Sequence, residues 1–555
     1  MVVYKATKYN TIEPLPDLDV YTFLFKPNEF NLKFPADRKV VIDGHTGRSL
    51  THSQVRDLSS RMAAGWVNKV GLKKGDIVAS FAPNQYDHIV VYLSLLAAKC
   101  TVTPGNPMYT EAEFQHQISN SGAKALITVP ELLPVLLKVC ARVGIPKDRI
   151  FLYGEKDHDG LKSVYSVMAS VPEGRHIEYP VQGLSSKEDV AFICYSSGTT
   201  GLAKGVMLTH QNLIAQALIT METDKHAHNE LDMTLCFLPL YHIYGLTVLC
   251  FNAFYKLLPV VIIPKFELKT YLELVQKYRI TLLSIVPPVA VQLAKDPLVL
   301  KYDLTSVRII QCGAAPLGKE HTDNLLSRIP GYLIQSYGMT ETTSAIIQSG
   351  YDGTAIGSVG IVCPSVECKI VDEQGNELGD DQEGEILVRG PSIMKGYYNN
   401  PEANAKTFTK DGWMKTGDVV KFDSAKQEFF VMDRLKELIK VKGFQVAPAE
   451  LESLLLGMSE VNDCCVIGVY SSEEATEYPR AYVVRSSITA KDDDATLAKR
   501  IEEFVAKNVT GYKKLRGGVY FLDQIPKSPS GKILRRRIRE LAKEQDKAEK
   551  LPAKL

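Results

Sequence analysis

From Val40 to Thr51 the apolar positions come in two short runs broken by Asp43-Gly44 and Gly47, the pattern of a β-hairpin. Thr51 then opens a helix. Gln54 stands where it completes a capping box, and Val55, Leu58, Met62 and Trp66 recur along one helical face. Ile77 to Phe81 is a continuous apolar run of buried-strand type, Tyr86 to Ala98 a helix, and Cys100 to Thr103 another strand. Thr110 and Glu113 form a second capping box, Ala123 to Val129 a further strand followed by a helix, and Arg149 to Tyr153 a strand again. Alternation of strand and helix predicts a parallel sheet covered on both faces.

The polar stretch Gly154 to Lys187 separates this block from a second alternating one. It begins with the short strand Asp189 to Cys194, a loop rich in Ser, Gly and Thr, and a helical pattern after His210. Its further strands are Thr234–Leu238, Val260–Ile263, Thr281–Val286, Val307–Gln311 and Gly331–Gln335. Leu246 to Ile263 is the most membrane-like stretch, but Asn252, Lys256 and Pro259 interrupt it, so a buried helix leading into a core strand is expected and no transmembrane segment. From Gly357 to Phe422 short strands and Gly-rich turns predict an antiparallel, barrel-like piece. Beyond Asp433 lies a smaller α+β unit ending in the helix Ile533–Lys550. The chain therefore divides into a large α/β domain over residues 1–433 and a small α+β domain over 434–555.

Composition narrows the function classes. A length of 555 residues exceeds one compact core, and 45% hydrophobic with 23% charged residues describes an ordinary globular protein. A net charge of +1 argues against a general grip on nucleic acid or anionic membrane. The basic helix near the end is interleaved with Glu540, Glu544, Asp546 and Glu549, which makes it a solvated face. None of the ten cysteines falls in a C-x-x-C pair, so buried, reduced thiols of an intracellular protein are expected. The N-terminus has no apolar h-region, so no signal peptide is expected. There is no G-x-G-x-x-G fingerprint and no H-E-x-x-H.

The chemistry gathers around Tyr195-Ser-Ser-Gly-Thr-Thr-Gly-Leu-Ala-Lys-Gly-Val206. Small residues let backbone N–H groups and the hydroxyls of Ser196, Ser197, Thr199 and Thr200 converge on one point around Gly198, and Lys204 adds a positive charge. Such a concavity suits phosphate. The spacing is not that of a Walker A loop, because Ala203 stands where its second glycine belongs and Gly205 follows Lys204. Thr340 and Glu341 directly follow a predicted strand, and ligands of parallel sheets bind at the carboxyl ends of strands, so they should reach the same crevice. A lone carboxylate there suits magnesium, which wants hard oxygen ligands and few from the protein.

This loop resembles the phosphate signature of the adenylate-forming superfamily, which includes acyl-CoA synthetases, 4-coumarate:CoA ligases, beetle luciferases and peptide-synthetase adenylation domains. Further signatures in the same order extend the resemblance over nearly the whole chain: Gln335-Ser-Tyr-Gly-Met-Thr-Glu-Thr342, Trp413-Met-Lys-Thr-Gly-Asp418, Met432-Asp-Arg-Leu-Lys-Glu-Leu-Ile-Lys440, Val441-Lys-Gly-Phe-Gln445 and Pro526-Lys-Ser-Pro-Ser-Gly-Lys532. The 4-coumarate:CoA ligase pattern fits best, with Val441 where Tyr is commoner and Cys312 where Ser is commoner.

The resemblance implies an ATP- and magnesium-dependent acid:CoA ligase with a mobile small domain. Its first half-reaction makes an acyl-adenylate and its second transfers the acyl group to CoA. Thr340 would bond the α-phosphate and Glu341 hold Mg2+. Gln335 and Tyr337 would lie by the adenine, Asp418 would accept the ribose hydroxyls, and Arg434 would assist. Lys436 would mark the hinge and His242 border the substrate carboxylate. Lys532 would bond carboxylate and α-phosphate together, neutralising charge as it builds. Lys440 and Gln445 would serve later stages, while Lys442, Gly443 and Lys265 would face CoA. Tyr244, Val248, Gly313, Ala314, Ser336, Gly338, Ser344 and Ala345 would line the acyl pocket. Ser336, Ser344 and Ala345 depart from the Gly, Pro and Val common in 4-coumarate ligases, which leaves aryl acids and medium-chain fatty acids both open. A luciferase-like monooxygenase, a carrier-loading module and an inactive acyl-binding protein are the alternatives, and intact Lys532, Asp418 and Glu341 argue against the last. The ending Ala553-Lys-Leu555 resembles an S-K-L address read by the peroxisomal import receptor, with the cytoplasm as the location otherwise.

Overall fold

Both capping boxes form. The Gln54 N–H donates to Thr51 Oγ1 at 3.2 Å while the Thr51 N–H donates to Gln54 Oε1 at 2.9 Å, which starts the helix His52–Asn68. Thr110 and Glu113 exchange the same pair of bonds at the head of the helix Glu111–Ser121. Each satisfies donors that the first helical turn leaves open, a contribution of about 1 kcal/mol. The computed structural model describes residues 2–168, 184–196, 203–225, 227, 229–313, 317, 319–351, 354–441, 444–471, 474, 476–489, 493–528 and 531–550.

The alternating segments build two large sheets. The first has eight strands in the order Gly396–Tyr397, Lys204–Thr209, Val190–Ser196, Thr101–Gly105, Ile77–Phe81, Ala125–Thr128, Ile150–Leu152 and Lys162–Ser163. It is parallel from Val190–Ser196 onward and antiparallel at the edge holding Lys204–Thr209. The second has nine strands, parallel across Lys39–Asp43, Val260–Ile262, Thr234–Cys236, Leu282–Ile285, Ile309–Cys312 and Tyr332–Met339. Its antiparallel edges are Ser49–Thr51 on one side and Ser344–Gln348 with Ile361–Val362 on the other. Helices fill the space between the sheets, and one continuous apolar cluster, from Val20 to Phe429, packs through both.

Two placements differ from the sequence reading. The hairpin 39–51 comes first in the chain yet joins the second sheet, whereas Val190–Ser196 of the second block pairs with Thr101–Gly105 in the first. Periodicity reports which face of an element is buried; the neighbour it pairs with is settled by distant parts of the chain. Leu246–Ile263 is a buried helix and a core strand as expected, but Gly245–Asn252 is wound as a π-helix before the short α-turn Ala253–Tyr255. No helix among the described residues is long and apolar enough to cross a membrane.

The Gly-rich region forms an antiparallel five-stranded sheet: Tyr4–Lys5, Glu367–Val371, Glu383–Arg389, Met414–Asp423 and Glu428–Arg434. Tyr4 from one edge strand packs its ring 4.6 Å from Phe422 and 5.2 Å from Phe429 at the far side, so the sheet curls towards a barrel. The C-terminal part has its own apolar core. The strands Val461–Ser471, Thr476–Arg485 and Val519–Phe521 pack there on the helices Pro448–Leu456 and Asp494–Asn508. All ten cysteines are buried free thiols, and burial pushes Cys312, for example, up to about 12.

Candidate active site

One cavity of about 1000 Å³ opens where the carboxyl ends of the strands Val190–Ser196, Leu282–Ile285, Ile309–Cys312 and Tyr332–Met339 meet the small domain. Of the residues singled out in sequence, Ser196, Lys204, His242, Tyr244, Val248, Gly313, Ser336, Gly338, Thr340, Glu341, Ser344, Ala345, Asp418, Arg434, Lys436 and Lys532 all line it. The strand ends therefore deliver the crevice expected of a parallel sheet.

The strands flanking the Ser/Gly/Thr stretch pair antiparallel, and a strand, not a helix, follows it. Lys204 pairs with Ser196 across it, and Lys204–Thr209 is a strand before the helix His210–Thr223 begins. The alternation of Val206 and Leu208, both buried, is the strand signal that the reading of the loop passed over. Ser197, Gly198, Thr199 and Thr200 lie outside the described residues, as do Ala314, Lys442, Gly443 and Ala553-Lys-Leu555. At the hairpin's base the Ser196 hydroxyl donates to Glu341 Oε1 at 3.1 Å, and the Tyr397 hydroxyl donates to the same oxygen at 2.9 Å. Lys204 Nζ sits 4.8 Å over the Tyr397 ring. Glu341 is buried on the short 3₁₀ turn Thr340–Thr342 directly after its strand, so its carboxylate is held at the cavity wall by two hydroxyls.

Asp418 and Arg434 are register partners on adjacent strands. Arg434 Nε stands 3.4 Å from Asp418 Oδ1, and the Tyr337 hydroxyl donates to Asp418 Oδ2 at 2.8 Å. Burial raises the Asp418 carboxyl above the usual range, and the Arg434 charge and the Tyr337 hydrogen bond oppose that shift. Tyr337 is buried with its hydroxyl spent on Asp418, and it does not line the cavity; Ser336 and Gly338 do. Gly338 has to be glycine, since a Cβ would lie 2.0 Å from the Ser344 carbonyl oxygen of the neighbouring strand. Gln335 is likewise behind the wall, where its Oε1 accepts from the Leu317 N–H at 3.0 Å. Tyr244 is fixed by a 3.1 Å hydrogen bond to the Gln311 carbonyl, and a Cβ on Gly313 would press to 3.2 Å from its ring.

Lys532 arrives from the small domain. It sits on a tight turn in which the Ser528 N–H donates to the Lys532 carbonyl at 2.7 Å and the Lys532 N–H to Ser528 Oγ at 3.1 Å. Gly531 in that turn has φ +81°, and a Cβ there would lie 3.2 Å from the side chains of Pro288 and Val286. The turn is thus seated on the large domain. Desolvation, and then the Arg434 charge, lowers the Lys532 ammonium to about 8, against the pull of Glu437, Asp418 and Glu341. Burial and Lys532 lower His242 to about 4, so its imidazole is neutral at pH 7.

Other sequence candidates are elsewhere. Lys440 and Gln445 are register partners in the hairpin Ile439–Val441/Phe444–Val446, exposed and away from the cavity. Gln445 Nε2 donates to Glu373 at 2.8 Å, and the Lys440 N–H donates to Glu477 at 2.8 Å. Lys265 is exposed just beyond the strand Val260–Ile262 and does not line the cavity. Sequence reasoning missed Tyr397, Ser284 and Gln311 of the wall, which belong to no motif and are brought in by strand order. Among the described residues no three His, Cys, Asp or Glu side chains converge as a metal site. A single carboxylate such as Glu341 is nevertheless what magnesium takes from a protein when phosphates supply the remaining oxygens.

A family model described as AMP-binding enzyme matches residues 29–398, and one described as AMP-binding enzyme C-terminal domain matches residues 450–532. The chain is 40% identical over 514 residues to a 4-coumarate–CoA ligase of Pinus taeda, covering 91% of this chain and 92% of that one. It is 38% identical over 533 residues to 4-coumarate–CoA ligase 1 of Petroselinum crispum, covering 94% of each. Among solved structures, ATP-bound MatB from Rhodopseudomonas palustris matches with a TM-score of 0.83 at 28% identity, over 96% of this chain and all of that one.

The docked position of Lys532 predicts its titration. Below pH about 8 it carries the ammonium and above it the free amine, whereas an ordinary lysine changes at 10.5. Competitive labelling with an amine reagent, read by peptide mass spectrometry, should give a midpoint near 8. Glu341→Gln, which removes a carboxylate that favours the charged form, should lower the midpoint further. A midpoint near 10.5 would mean that the small domain does not hold Lys532 in the cavity.

Proposed function

The chain belongs to the AMP-binding enzyme family, and from that premise we propose that it is an ATP-dependent acid:CoA ligase that joins an aryl acid of the hydroxycinnamic type, or a medium-chain fatty acid, to CoA through an acyl-adenylate. The observation that carries this reading is the meeting, in one cavity, of Lys532 from the small domain with Asp418 and Glu341 from the large one. The names of the relatives, both 4-coumarate–CoA ligases, support the same reaction class.

In the first half-reaction a carboxylate oxygen attacks the α-phosphorus of ATP, and the bond to pyrophosphate breaks. The two reactants are anions that repel at contact. The Lys532 ammonium, placed between them, bonds both and offsets the charge that accumulates in the transition state. His242, neutral by burial, borders the carboxylate without adding a second positive charge beside Lys532. Asp418 accepts the ribose hydroxyls, with the Arg434 charge and the Tyr337 hydrogen bond opposing the effect of its burial, and Thr340 bonds the α-phosphate. The hairpin loop from Ser196 to Lys204 receives the outer phosphates with N–H groups, hydroxyls and one ammonium. Glu341 is the residue that would hold Mg2+, whose charge screens the phosphate oxygens when bound.

In the second half-reaction the CoA sulfur attacks the acyl carbon and AMP leaves. Lys440 and Gln445 face away from the cavity while Lys532 occupies it. This supports a second orientation of the small domain, turning about Lys436, that withdraws Lys532 and presents the 439–446 hairpin. Lys265 on the large domain, together with Lys442 and Gly443, would meet CoA.

The test is a panel of aryl and aliphatic acids with ATP, Mg2+ and CoA. Acid-dependent pyrophosphate release and acid- and CoA-dependent formation of AMP and thioester in equal amounts are expected. Pyrophosphate release without CoA dependence, accompanied by oxygen uptake, would instead favour a luciferase-like monooxygenase, and no release with any acid would favour an inactive acyl-binding protein.

We also propose, from sequence alone, that Ala553-Lys-Leu555 is an address read by the peroxisomal import receptor. A fluorescent protein fused ahead of the intact chain should collect in peroxisomes and become diffuse when the last three residues are removed. A diffuse signal from the intact fusion would remove the idea.

A further inference from the structure

Tyr397 belongs to no motif, yet three parts of the cavity wall meet on it. Its short strand Gly396–Tyr397 lies antiparallel to Lys204–Thr209, with Tyr397 opposite Val206. Backbone bonds fasten both ends of that strand. The Met394 N–H donates to the Glu341 carbonyl at 2.8 Å, and the Tyr398 N–H donates to the Gly205 carbonyl at 2.7 Å. Asn404, on the helix Pro401–Thr407, clamps Tyr397 itself: it accepts from the Tyr397 N–H at 2.6 Å and donates to the Tyr397 carbonyl at 3.0 Å. Both backbone polar groups of Tyr397 are thus satisfied by one side chain, which fixes where its ring and hydroxyl stand.

The hydroxyl is aimed at one oxygen of Glu341. It donates to Oε1 at 2.9 Å, and the Ser196 hydroxyl donates to the same atom at 3.1 Å. A carboxylate oxygen has about two lone-pair sites, so two donors saturate Oε1. Among the described residues none donates to Oε2, and that oxygen is left to the cavity that Glu341 lines. The ring has a second task. Lys204 Nζ stands 4.8 Å from its centre, and an aromatic face attracts a cation. One side chain therefore sets both a carboxylate and an ammonium.

A carboxylate offering a single oxygen suits one kind of ion. Mg2+ is small, demands near-octahedral geometry and keeps several waters, whereas the larger Ca2+ accepts both oxygens of one carboxylate in an irregular shell. We propose that Tyr397 is a positioning residue that, with Ser196, makes Glu341 a one-oxygen ligand and so sets the site's preference for Mg2+-nucleotide over Ca2+-nucleotide, while its ring places Lys204 for the outer phosphates. This deepens the acid:CoA ligase reading and rests on it.

The test is calorimetric binding of ATP to the full-length enzyme without any acid, so that no turnover occurs, in Mg2+, in Ca2+ and in chelator. The unaltered enzyme should bind the Mg2+ complex at least about tenfold more tightly than the Ca2+ complex. Groups that orient a metal-binding side chain typically contribute about 10–100-fold in affinity. Tyr397→Phe should therefore weaken the Mg2+ complex by about tenfold or more and the Ca2+ complex, which gains the freed oxygen, by much less, bringing the ratio close to one. Binding in chelator should stay within about threefold in Tyr397→Phe, because the ring beneath Lys204 is kept, and should fall by about two- to fivefold in Tyr397→Leu, which removes it. Ser196→Ala takes away the other donor to Oε1, should move the Mg2+ to Ca2+ ratio in the same direction, and decides the matter if Tyr397→Phe does not fold. A ratio at or below one in the unaltered enzyme, or a ratio unchanged in the variant because both complexes weaken equally or not at all, overturns the proposal, while binding of ATP with acid-dependent pyrophosphate release keeps the ligase reading intact. No binding of ATP by the unaltered enzyme overturns both.

Discussion

Two anions have to be brought into contact in the reaction we propose, and Lys532 is the desolvated lysine that the small domain places in the cavity where they would meet. A carboxylate and an α-phosphate repel at bonding distance, the more strongly the less water stands between them. A preorganised cation between them supplies what bulk water cannot. The large domain contributes Ser196, Lys204, Glu341 and Asp418, two of them acidic, to the cavity. The central cation comes from the small domain, on a turn that Gly531 permits to lie against Pro288 and Val286. On the proposed function, placing that charge on the small domain would give the protein a means of removing it once the adenylate exists.

The surroundings of Lys532 follow from the same constraint. Buried Asp418 and Tyr337 and half-buried Arg434 form a set in which each group restrains the next. Strand pairing aligns Asp418 with Arg434, and the Tyr337 hydroxyl completes the carboxylate's partners. The Arg434 charge also weakens the hold of Lys532 on its proton. A lysine poised near pH 8 shifts readily towards the charged form when two anionic reactants enter. His242, on the same cavity wall, is kept neutral by burial and by the Lys532 charge, so Lys532 is not met there by a second cation.

Much of this could be read in the chain because the informative chemistry is local. Capping boxes at Thr51 and Thr110, the hairpin about Gly47 and the strand ends carrying Ser196, Thr340 and Glu341 depend on neighbours a few residues away. Sheet membership does not. Nothing near Val190–Ser196 says that it pairs with Thr101–Gly105, and nothing near Tyr397 says that its hydroxyl will meet Glu341 across 56 residues. Gln216, Asp224 and Lys256 of the cavity wall fall in no motif at all, and Lys256 read as an interruption of an apolar run. The π-helix escaped for a related reason: the widened turn is set by packing around Gly245, whose Cβ would lie 2.3 Å from the Pro239 carbonyl oxygen.

The most direct test separates the two half-reactions in Lys532→Ala. Removing one preorganised donor from such a transition state typically costs about 100–1,000-fold in rate. Acid-dependent pyrophosphate release should fall by that order, while thioester formation from chemically made acyl-adenylate and CoA should stay within a few-fold of the unaltered enzyme. Lys440→Ala, on the hairpin that faces outward while Lys532 is docked, should show the reverse bias. Equal loss of both half-reactions in Lys532→Ala would contradict the account, since the lysine would then be supporting the structure of the site and not the meeting of carboxylate and phosphate.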